Sequence, residues 1–311
     1  MNQKIIRRQF LRTAGATVMA GASVALPHSS ISRDDLPAGN SSHTATTVPR
    51  LFVGCCAYSY RKYLEHGPMT MEDFIRNAVA LRLDGVDMTG YYFKSTDPEY
   101  LCSLRHLAYK NAVSFSGAAC GASMVQADPA RRAQTLQEIK KWIDVTDQLG
   151  ASHLRVFAGK LPPGATTKEA IGWVVETMKT ASDYSGRKGI MLGLEDHGGI
   201  SQNAAACLEI MGGVDSRYAG INLDITHFIP TSTADAYTQI AACIPYATNT
   251  HIRDHFDDGT PIDLDRVWRL FARAGYKGYM SAEYEGEEDP MKGVPKLIEK
   301  IRALCKKYSS V

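Results

Sequence analysis

The stretch that decides the fold is MLGLEDH, residues 191–197. It has the pattern of a short buried strand that ends in an acid, Glu195. Three later stretches repeat this design: INLDITH at 221–227, TNTHIRDH at 248–255 and YMSAEYE at 279–285. Each is an apolar run that ends in a carboxylate or an imidazole, and segments with helical periodicity separate them. The sequence therefore indicates a repeated strand–helix unit whose strands end in polar side chains.

The same unit can be followed from residue 51 to the end of the chain. Eight strands are predicted, at 51–57, 85–88, 113–118, 153–157, 190–195, 220–224, 247–252 and 278–283. Helices are predicted after them, at 70–82, 97–110, 128–150, 166–187, 202–211, 234–243, 263–274 and from 289 onward. Alternating strands and helices favour parallel pairing, and eight units favour a closed (β/α)8 TIM barrel of a single domain.

An open, doubly wound sheet is the structural alternative. Such a sheet usually carries a glycine-rich phosphate loop after its first strand. Here the corresponding residues, 55–63, read CCAYSYRKY and lack that pattern. In a barrel, active sites form at the carboxyl ends of the strands, where the acids and histidines noted above are placed.

The first residues are predicted to lie outside the barrel. Residues 7–12 read RRQFLR, a twin-arginine pattern, and the apolar stretch 14–25 that follows ends in a small-residue cleavage candidate. We therefore predict a Tat-type signal peptide over 1–25, a flexible linker over 26–50 and the barrel over 51–311. The apolar stretch is too short for a stable membrane span, so the prediction is a periplasmic or secreted protein.

Charge and cysteine content exclude two classes of protein. The formal net charge is +2, and residues 1–25 contain four basic residues and no acid, so the predicted mature chain has a charge of −2. A mildly acidic chain without a basic run is not typical of a nucleic-acid-binding protein. The seven cysteines form no CxxC pair in a chain of 311 residues, so a disulfide scaffold is not expected.

Four side chains are predicted to meet at the mouth of the barrel: Glu195, Asp224, His251 and Glu283, from strands five to eight. Three carboxylates this close would repel one another unless a cation neutralised them. Together with one imidazole they suit a single divalent ion such as Mn²⁺, Mg²⁺, Co²⁺ or Zn²⁺. The alternative for any one of them is a solvated strand end or a helix cap.

The motifs LGLEDH, NLDITH, THIRD and SAEYE, in this order and spacing, resemble those of the xylose isomerase-like barrel superfamily. The chain is most similar to its branch of sugar phosphate isomerases and epimerases, which includes the ketose 3-epimerases. The resemblance implies that Glu195, Asp224, His251 and Glu283 are metal ligands. It also implies that Glu195 and Glu283 form the catalytic acid/base pair.

Such a site would act on a carbon next to a carbonyl. A divalent ion that binds the carbonyl and the neighbouring hydroxyl stabilises a cis-enediolate, and one glutamate removes the proton. Return of a proton to the other face gives epimerisation, and return to the adjacent carbon gives isomerisation. Loss of a β-oxygen instead gives a lyase or hydratase acting on 3-keto-sugars or keto-glycosides, which is the main alternative.

Five residues are predicted to contact the substrate: His227, His197, Arg155, Arg253 and Tyr58. His227 stands three residues after Asp224, where the family has a histidine that contacts substrate oxygens; an additional metal ligand or a buried core histidine are the alternatives. The epimerases also carry an arginine a few residues past the strand-seven histidine, but here aspartates 257 and 258 occupy that region.

The predicted partner is a small carbohydrate, without nucleic acid or stable membrane insertion. No glycine-rich loop or Arg/Lys cluster indicates a phosphate clamp, so an unphosphorylated sugar is expected. The aromatic residues 91–93 after strand two are a candidate contact for a homodimer. An endonuclease-like barrel and a non-catalytic sugar-binding barrel remain as the other functional classes.

Overall fold

A computed structural model describes residues 49–228 and 235–309. The predicted signal segment, all but the last two residues of the predicted linker, and the first residue of the predicted helix 234–243 lie outside the described residues. Among the described residues, no helix combines the length and the apolar character needed to cross a membrane.

Eight parallel strands close into a barrel in sequence order, with β8 paired to β1. The strands are β1 Arg50–Cys56, β2 Gly85–Thr89, β3 Ser114–Ser123, β4 His153–Phe157, β5 Met191–Glu195, β6 Ala219–Asp224, β7 Ala247–Ile252 and β8 Lys277–Ala282. The helices are α1 Arg61–His66, α2 Met71–Ala80, α3 Pro98–Lys110, α4 Pro129–Leu149, α5 Thr167–Gly186, α6 Ala204–Val214, α7 Ala236–Cys243, α8 Leu264–Ala274 and α9 Pro290–Tyr308. The predicted (β/α)8 barrel is confirmed.

Local sequence signals set several helix ends. Thr70 with Asp73, and Thr166 with Glu169, form reciprocal capping boxes at the starts of α2 and α5. Gly150 ends α4 in the left-handed conformation, with φ 86°, which glycine adopts without a steric penalty. These short-range hydrogen bonds explain why the helix boundaries follow the sequence pattern closely.

Two elements differ from the sequence pattern. Strand β3 continues to Ser123, five residues beyond the prediction, because residues 119–123 are all small and give no large apolar signal, although Ala119 and Ser123 pair with β4. The short helix α1 was also not predicted. Its six residues include no buried residue, so it leaves no amphipathic pattern.

The main hydrophobic core lies between the barrel and the surrounding helices. It includes alternate strand residues, such as Leu192 and Leu194 of β5, and buried helix residues such as Trp268 and Phe271 of α8. The intervening strand residues face the inside of the barrel. This is clear from contacts between strands that are not neighbours, such as the bond from Asn249 Nδ2 in β7 to Asp87 Oδ2 in β2, at 2.9 Å.

Candidate metal centre

Four side chains converge at the carboxyl ends of neighbouring strands. Glu195 ends β5, Asp224 ends β6, His251 is the penultimate residue of β7, and Glu283 follows β8 directly. Each offers one ligand atom, and these four atoms all lie within 4.8 Å of one another. All four residues are buried, with exposed fractions from 0% to 7%. The structure therefore brings together the whole set of predicted metal ligands.

The strand pattern explains why these side chains meet. In β5 and β6 each acid follows a buried leucine, Leu194 or Leu223, which faces the helices. Side chains of a strand alternate between two faces, so the acid that follows faces the inside of the barrel. Parallel strands end at the same rim, and the pairing of Asp224 with His251 aligns β6 with β7 there.

Arg155 and His251 balance the charge of Glu195. Arg155 Nε lies 3.2 Å from Glu195 Oε2, and His251 Nδ1 lies 2.8 Å from Glu195 Oε1. Burial alone would raise the pKa of Glu195, but the charges of Arg155 and His251 lower this pKa to about 2. Glu195 is therefore held as a carboxylate without any ion.

Glu283 has the opposite environment. Its burial raises its pKa, although His251, whose Nδ1 lies 3.4 Å from Glu283 Oε1, opposes the shift. The two glutamates at the rim are thus separated in acidity by their surroundings, with Glu283 the weaker acid.

One carboxylate oxygen of Asp224 has no hydrogen-bond partner among the described residues. Its Oδ1 accepts hydrogen bonds from the hydroxyl and the backbone N–H of Thr226, the latter at 2.8 Å. Its Oδ2 is buried and accepts no hydrogen bond from the described residues. His227 Nε2 and Arg253 Nη2 lie 3.7 Å and 3.5 Å from Oδ2. Burial would raise the pKa of Asp224, but the charges of His227, Arg253 and His251 hold it below its usual range.

The donor set fits a divalent ion. Three carboxylates and one imidazole are ligands that Mn²⁺, Mg²⁺, Co²⁺ and Zn²⁺ accept. The free Oδ2 of Asp224 is a buried acceptor that a cation would satisfy. Cys56, at the end of β1, also brings its thiol within 4.8 Å of ligand atoms of His251 and Glu283. Burial raises the pKa of Cys56 to about 11.

The predicted substrate-contacting residues lie in three different environments. His197 and His227 stack edge to face with ring centres 4.7 Å apart, and His227 adjoins Asp224. Arg155 and Arg253 instead pair with carboxylates, Arg155 with Glu195 and Arg253 with Asp224, Asp257 and Glu285. Tyr58 is half-buried under the guanidinium of Arg61, 4.8 Å from the ring centre. Substrate binding by these five residues stays a prediction.

Sequence reasoning missed two residues that contact the cluster. Asp87 Oδ2 lies 3.5 Å from His251 Nε2, and Asn222 Nδ2 lies 3.4 Å from His251 Nδ1. Both are fully buried and lie on the inner face of their strands. The signal that could have found them is the two-residue alternation of apolar and polar positions within each strand.

Comparisons with known proteins agree with this fold. The model of the family described as xylose isomerase-like TIM barrel matches residues 75–304. No curated protein sequence matches the chain.

Three solved structures illustrate the similarity. An IOLI protein with a bound zinc atom has a TM-score of 0.69 and 15% identity, covering 84% of this chain and 100% of that chain. A D-allulose 3-epimerase from Methylomonas sp. has a TM-score of 0.67 and 19% identity, covering 83% and 99%. A 3-keto-D-glucoside 4-epimerase, YcjR, from E. coli has a TM-score of 0.66 and 15% identity, covering 82% and 99%. At these identities the structural matches establish the fold alone, and the sequence match establishes the family: the chain belongs to the xylose isomerase-like TIM barrel family.

Proposed function

We propose that the protein is a metal-dependent isomerase or epimerase of an unphosphorylated sugar or keto-sugar, and that it works through a cis-enediolate. The observation that carries the proposal is the cluster of Glu195, Asp224, His251 and Glu283, whose ligand atoms lie within 4.8 Å of one another at the barrel mouth. Structural neighbours named as sugar epimerases, and one with bound zinc, support this class.

The two glutamates suit opposite halves of a proton transfer. When bound, a divalent ion would polarise the substrate carbonyl and stabilise the negative charge of the enediolate. Arg155 keeps Glu195 charged, so its carboxylate can accept a proton from carbon. Glu283 reaches the same cluster from the end of β8, so it can return a proton to the substrate. We assign hydrogen bonding to sugar oxygens to His227, beside Asp224.

The arginines near the mouth support a substrate without phosphate. Arg155 is paired with Glu195, and Arg253 lies 2.9 Å from carboxylate oxygens of both Asp257 and Glu285. A phosphate clamp needs guanidinium groups with free donors, and these two are already engaged by carboxylates.

A lyase or hydratase acting on 3-keto-sugars or keto-glycosides is the second candidate. The observation that favours it is Asp257, which stands in the region where ketose 3-epimerases carry an arginine and which pairs with Arg253. An acid at this place changes the hydrogen-bond donors offered to a ketose. The same enediolate would then lose a β-oxygen instead of gaining a proton.

The test is a panel of free ketoses, 3-keto-sugars and 3-keto-glucosides, incubated in D₂O with the purified protein. Elemental analysis first identifies any bound metal, and each reaction is run with chelator and with ion added back. Deuterium in a product of unchanged formula supports isomerisation or epimerisation. A product that differs by water or by an aglycone supports elimination, and chelator-insensitive turnover contradicts both.

Glu283→Gln is the decisive variant for this site. We expect kcat to fall by about 10²–10⁴-fold, because the amide removes both an acid/base group and a charged ligand. The matched control is Glu287→Gln, which makes the same change four residues later at an exposed position and should leave kcat unchanged. Equal activity of the two variants would contradict the proposed role of Glu283.

We also propose that the protein is exported through the Tat pathway, which supports an unphosphorylated substrate because phosphosugars are scarce outside the cytoplasm. The support is the twin-arginine stretch RRQFLR at 7–12. Fractionation of cells that produce the full chain tests this; accumulation of uncleaved protein in the cytoplasm alone would contradict it.

A further inference from the structure

Asp87, near the end of β2, is a buried acid inside the barrel with no role in the ligand set. It is fully buried. Its Oδ2 accepts a hydrogen bond from Asn249 Nδ2 at 2.9 Å and lies 3.5 Å from His251 Nε2. Both partners belong to β7, which is not a neighbour of β2, so these contacts cross the barrel. Burial of a carboxylate is costly, so the position of Asp87 calls for a specific partner.

His251 presents its two ring nitrogens to different surroundings. Nδ1 lies 2.8 Å from Glu195 Oε1 and 3.4 Å from Glu283 Oε1, among the proposed ligand carboxylates. Nε2 faces Asp87 instead. An imidazole nitrogen binds a metal ion through a free lone pair, and in the neutral ring the other nitrogen then carries the hydrogen. With an ion among the carboxylates, the N–H would therefore be on Nε2, facing Asp87.

The surroundings of Asp87 fix the position of its carboxylate. A Cβ at Gly117 would lie 3.2 Å from Asp87 Oδ2 and 3.1 Å from His153 Nδ1, closer than ordinary contacts allow. Glycine at 117 thus leaves room for the acid, and Asn249 donates a hydrogen bond to it. The contacts with Asn249 and His251 are both made by Oδ2, whereas Oδ1 accepts no hydrogen bond from the described residues.

We propose that Asp87 is the positioning residue of the metal centre: it accepts the Nε2–H of His251 and so presents the Nδ1 lone pair to the ion. This inference rests on the proposed metal centre and adds a fifth residue, from the opposite half of the barrel. Carboxylates that hold a ligating histidine in this way fix its tautomer and ring orientation, and their loss costs about 10–100-fold in metal affinity.

Asp87→Asn tests the proposal through metal affinity. The dissociation constants for Zn²⁺ and Mn²⁺ are measured by competition with a chelator, together with the melting temperature of the ion-free protein. We expect both ions to bind about 10–100-fold more weakly to the variant. The matched control is His153→Gln, a change in the same interior whose side chain contacts Thr248 rather than His251, and it should leave both constants unchanged.

A measurement on the wild-type protein tests the same proposal and does not depend on the folding of an Asp87 variant. The Zn²⁺-loaded protein is labelled with ¹⁵N-histidine, and two-bond proton–nitrogen correlations identify which ring nitrogen carries hydrogen. The signals of His251 are assigned by their loss in His251→Gln. We expect hydrogen on Nε2 and the ion on Nδ1.

Two results would overturn the role of Asp87 alone: an N–H on Nδ1 of His251 in the loaded protein, or unchanged ion affinity in Asp87→Asn. A different result would overturn the metal centre together with this inference. In that case wild-type protein would bind Zn²⁺ and Mn²⁺ no more tightly than His251→Gln does. This result distinguishes failure of the proposed metal centre from failure of the role of Asp87 alone.

Discussion

The barrel has two buried layers: an outer layer between the strands and the helices, and an inner layer inside the barrel. Strand β5 shows how the two layers differ. Leu192 and Leu194 face the helices and are fully buried in the apolar layer. Gly193 and Glu195, between and after them, face the inside of the barrel. Strands β2, β4, β6, β7 and β8 follow the same rule, with inner polar residues Asp87, His153, Arg155, Asn222, Asp224, Asn249, His251, Ser281 and, directly after β8, Glu283.

The difference separates stability from chemistry. Barrels of this type are usually filled inside by branched apolar side chains, and burial of such side chains stabilises the fold. Here the inside is polar, and several buried atoms have no hydrogen-bond partner among the described residues, including Asp87 Oδ1, His153 Nδ1, Asn222 Oδ1, Asn249 Oδ1 and Ser281 Oγ. We infer that the outer layer holds the fold together and that the inner layer is kept polar for the site, at a cost in stability.

The largest expected change in the free energy of unfolding comes from removing the positive charge of Arg155 beside Glu195. Arg155 is 3% exposed, contacts Glu195 and donates to Tyr91 Oη at 2.9 Å. Arg155→Met leaves the Glu195 carboxylate buried without this partner, so the free energy of unfolding of the ion-free protein should fall by about 3–5 kcal/mol. A saturating divalent ion should restore part of the loss. Denaturant unfolding with chelator and with ion measures both effects.

The outer surface provides the matched control for that variant. Arg269 of α8 pairs with Asp265 on the helix surface, where its side chain is 45% exposed. Arg269→Met should lower the free energy of unfolding by less than about 1 kcal/mol, with no response to the ion. If Arg155→Met lost no more than this control, the inner ion pair would not be a structural requirement.

His153 should make the inner layer sensitive to acid. Its Nε2 lies 3.1 Å from Thr248 Oγ1, and burial lowers the pKa of His153 from 6.5 to about 4. Between these values the unfolded chain binds more protons than the folded one, so the free energy of unfolding rises with pH. The contribution is complete above pH 6.5 and is lost as the pH falls to about 4, a change on the order of 3 kcal/mol.

His153→Gln removes this titration and keeps a polar side chain at the position. Denaturant unfolding of the ion-free wild type and variant is compared from pH 7 to pH 4. The variant should lose less stability than the wild type over this interval. Parallel curves for the two proteins would show that burial of His153 does not couple to acid unfolding.

The outer layer was the easier one to predict from the sequence. Apolar runs and caps such as Thr166 with Glu169 are local signals, so the order of strands and helices followed from the sequence. The four predicted ligands were also within reach of sequence reasoning, because the ends of parallel strands share one rim. What each inner side chain contacts was harder to predict.

The contacts of Asp87 and Arg155 show why. Asp87 and His251 are 164 positions apart, and their contact depends on closure of the barrel, which no local pattern encodes. Arg155 was predicted to bind substrate, whereas the structure also gives it an ion pair with Glu195. That pair depends on the register of β4 with β5, and a shift by one residue would turn Arg155 toward the helices.

The smallest expected effects come from replacing a glycine with alanine, once in the inner layer and once on the outer surface. In the inner layer, a Cβ at Gly193 would lie 2.4 Å from His153 Nε2, so Gly193→Ala should lower the free energy of unfolding by about 1–3 kcal/mol. On the exposed face of α5, a Cβ at Gly172 meets nothing within 4 Å. Gly172→Ala should raise the free energy of unfolding by about 0.5–1 kcal/mol, because alanine loses less backbone freedom in a helix.

The opposite signs of these two changes are the most direct test of the comparison. Denaturant unfolding of the ion-free variants measures both, and Gly172→Ala also serves as the control for any general effect of an added methyl group. A stabilising Gly193→Ala would mean that the inner layer has free space beside His153. The polar interior would then be loosely packed, and the close approach of β4 to β5 could not be what holds Arg155 against Glu195.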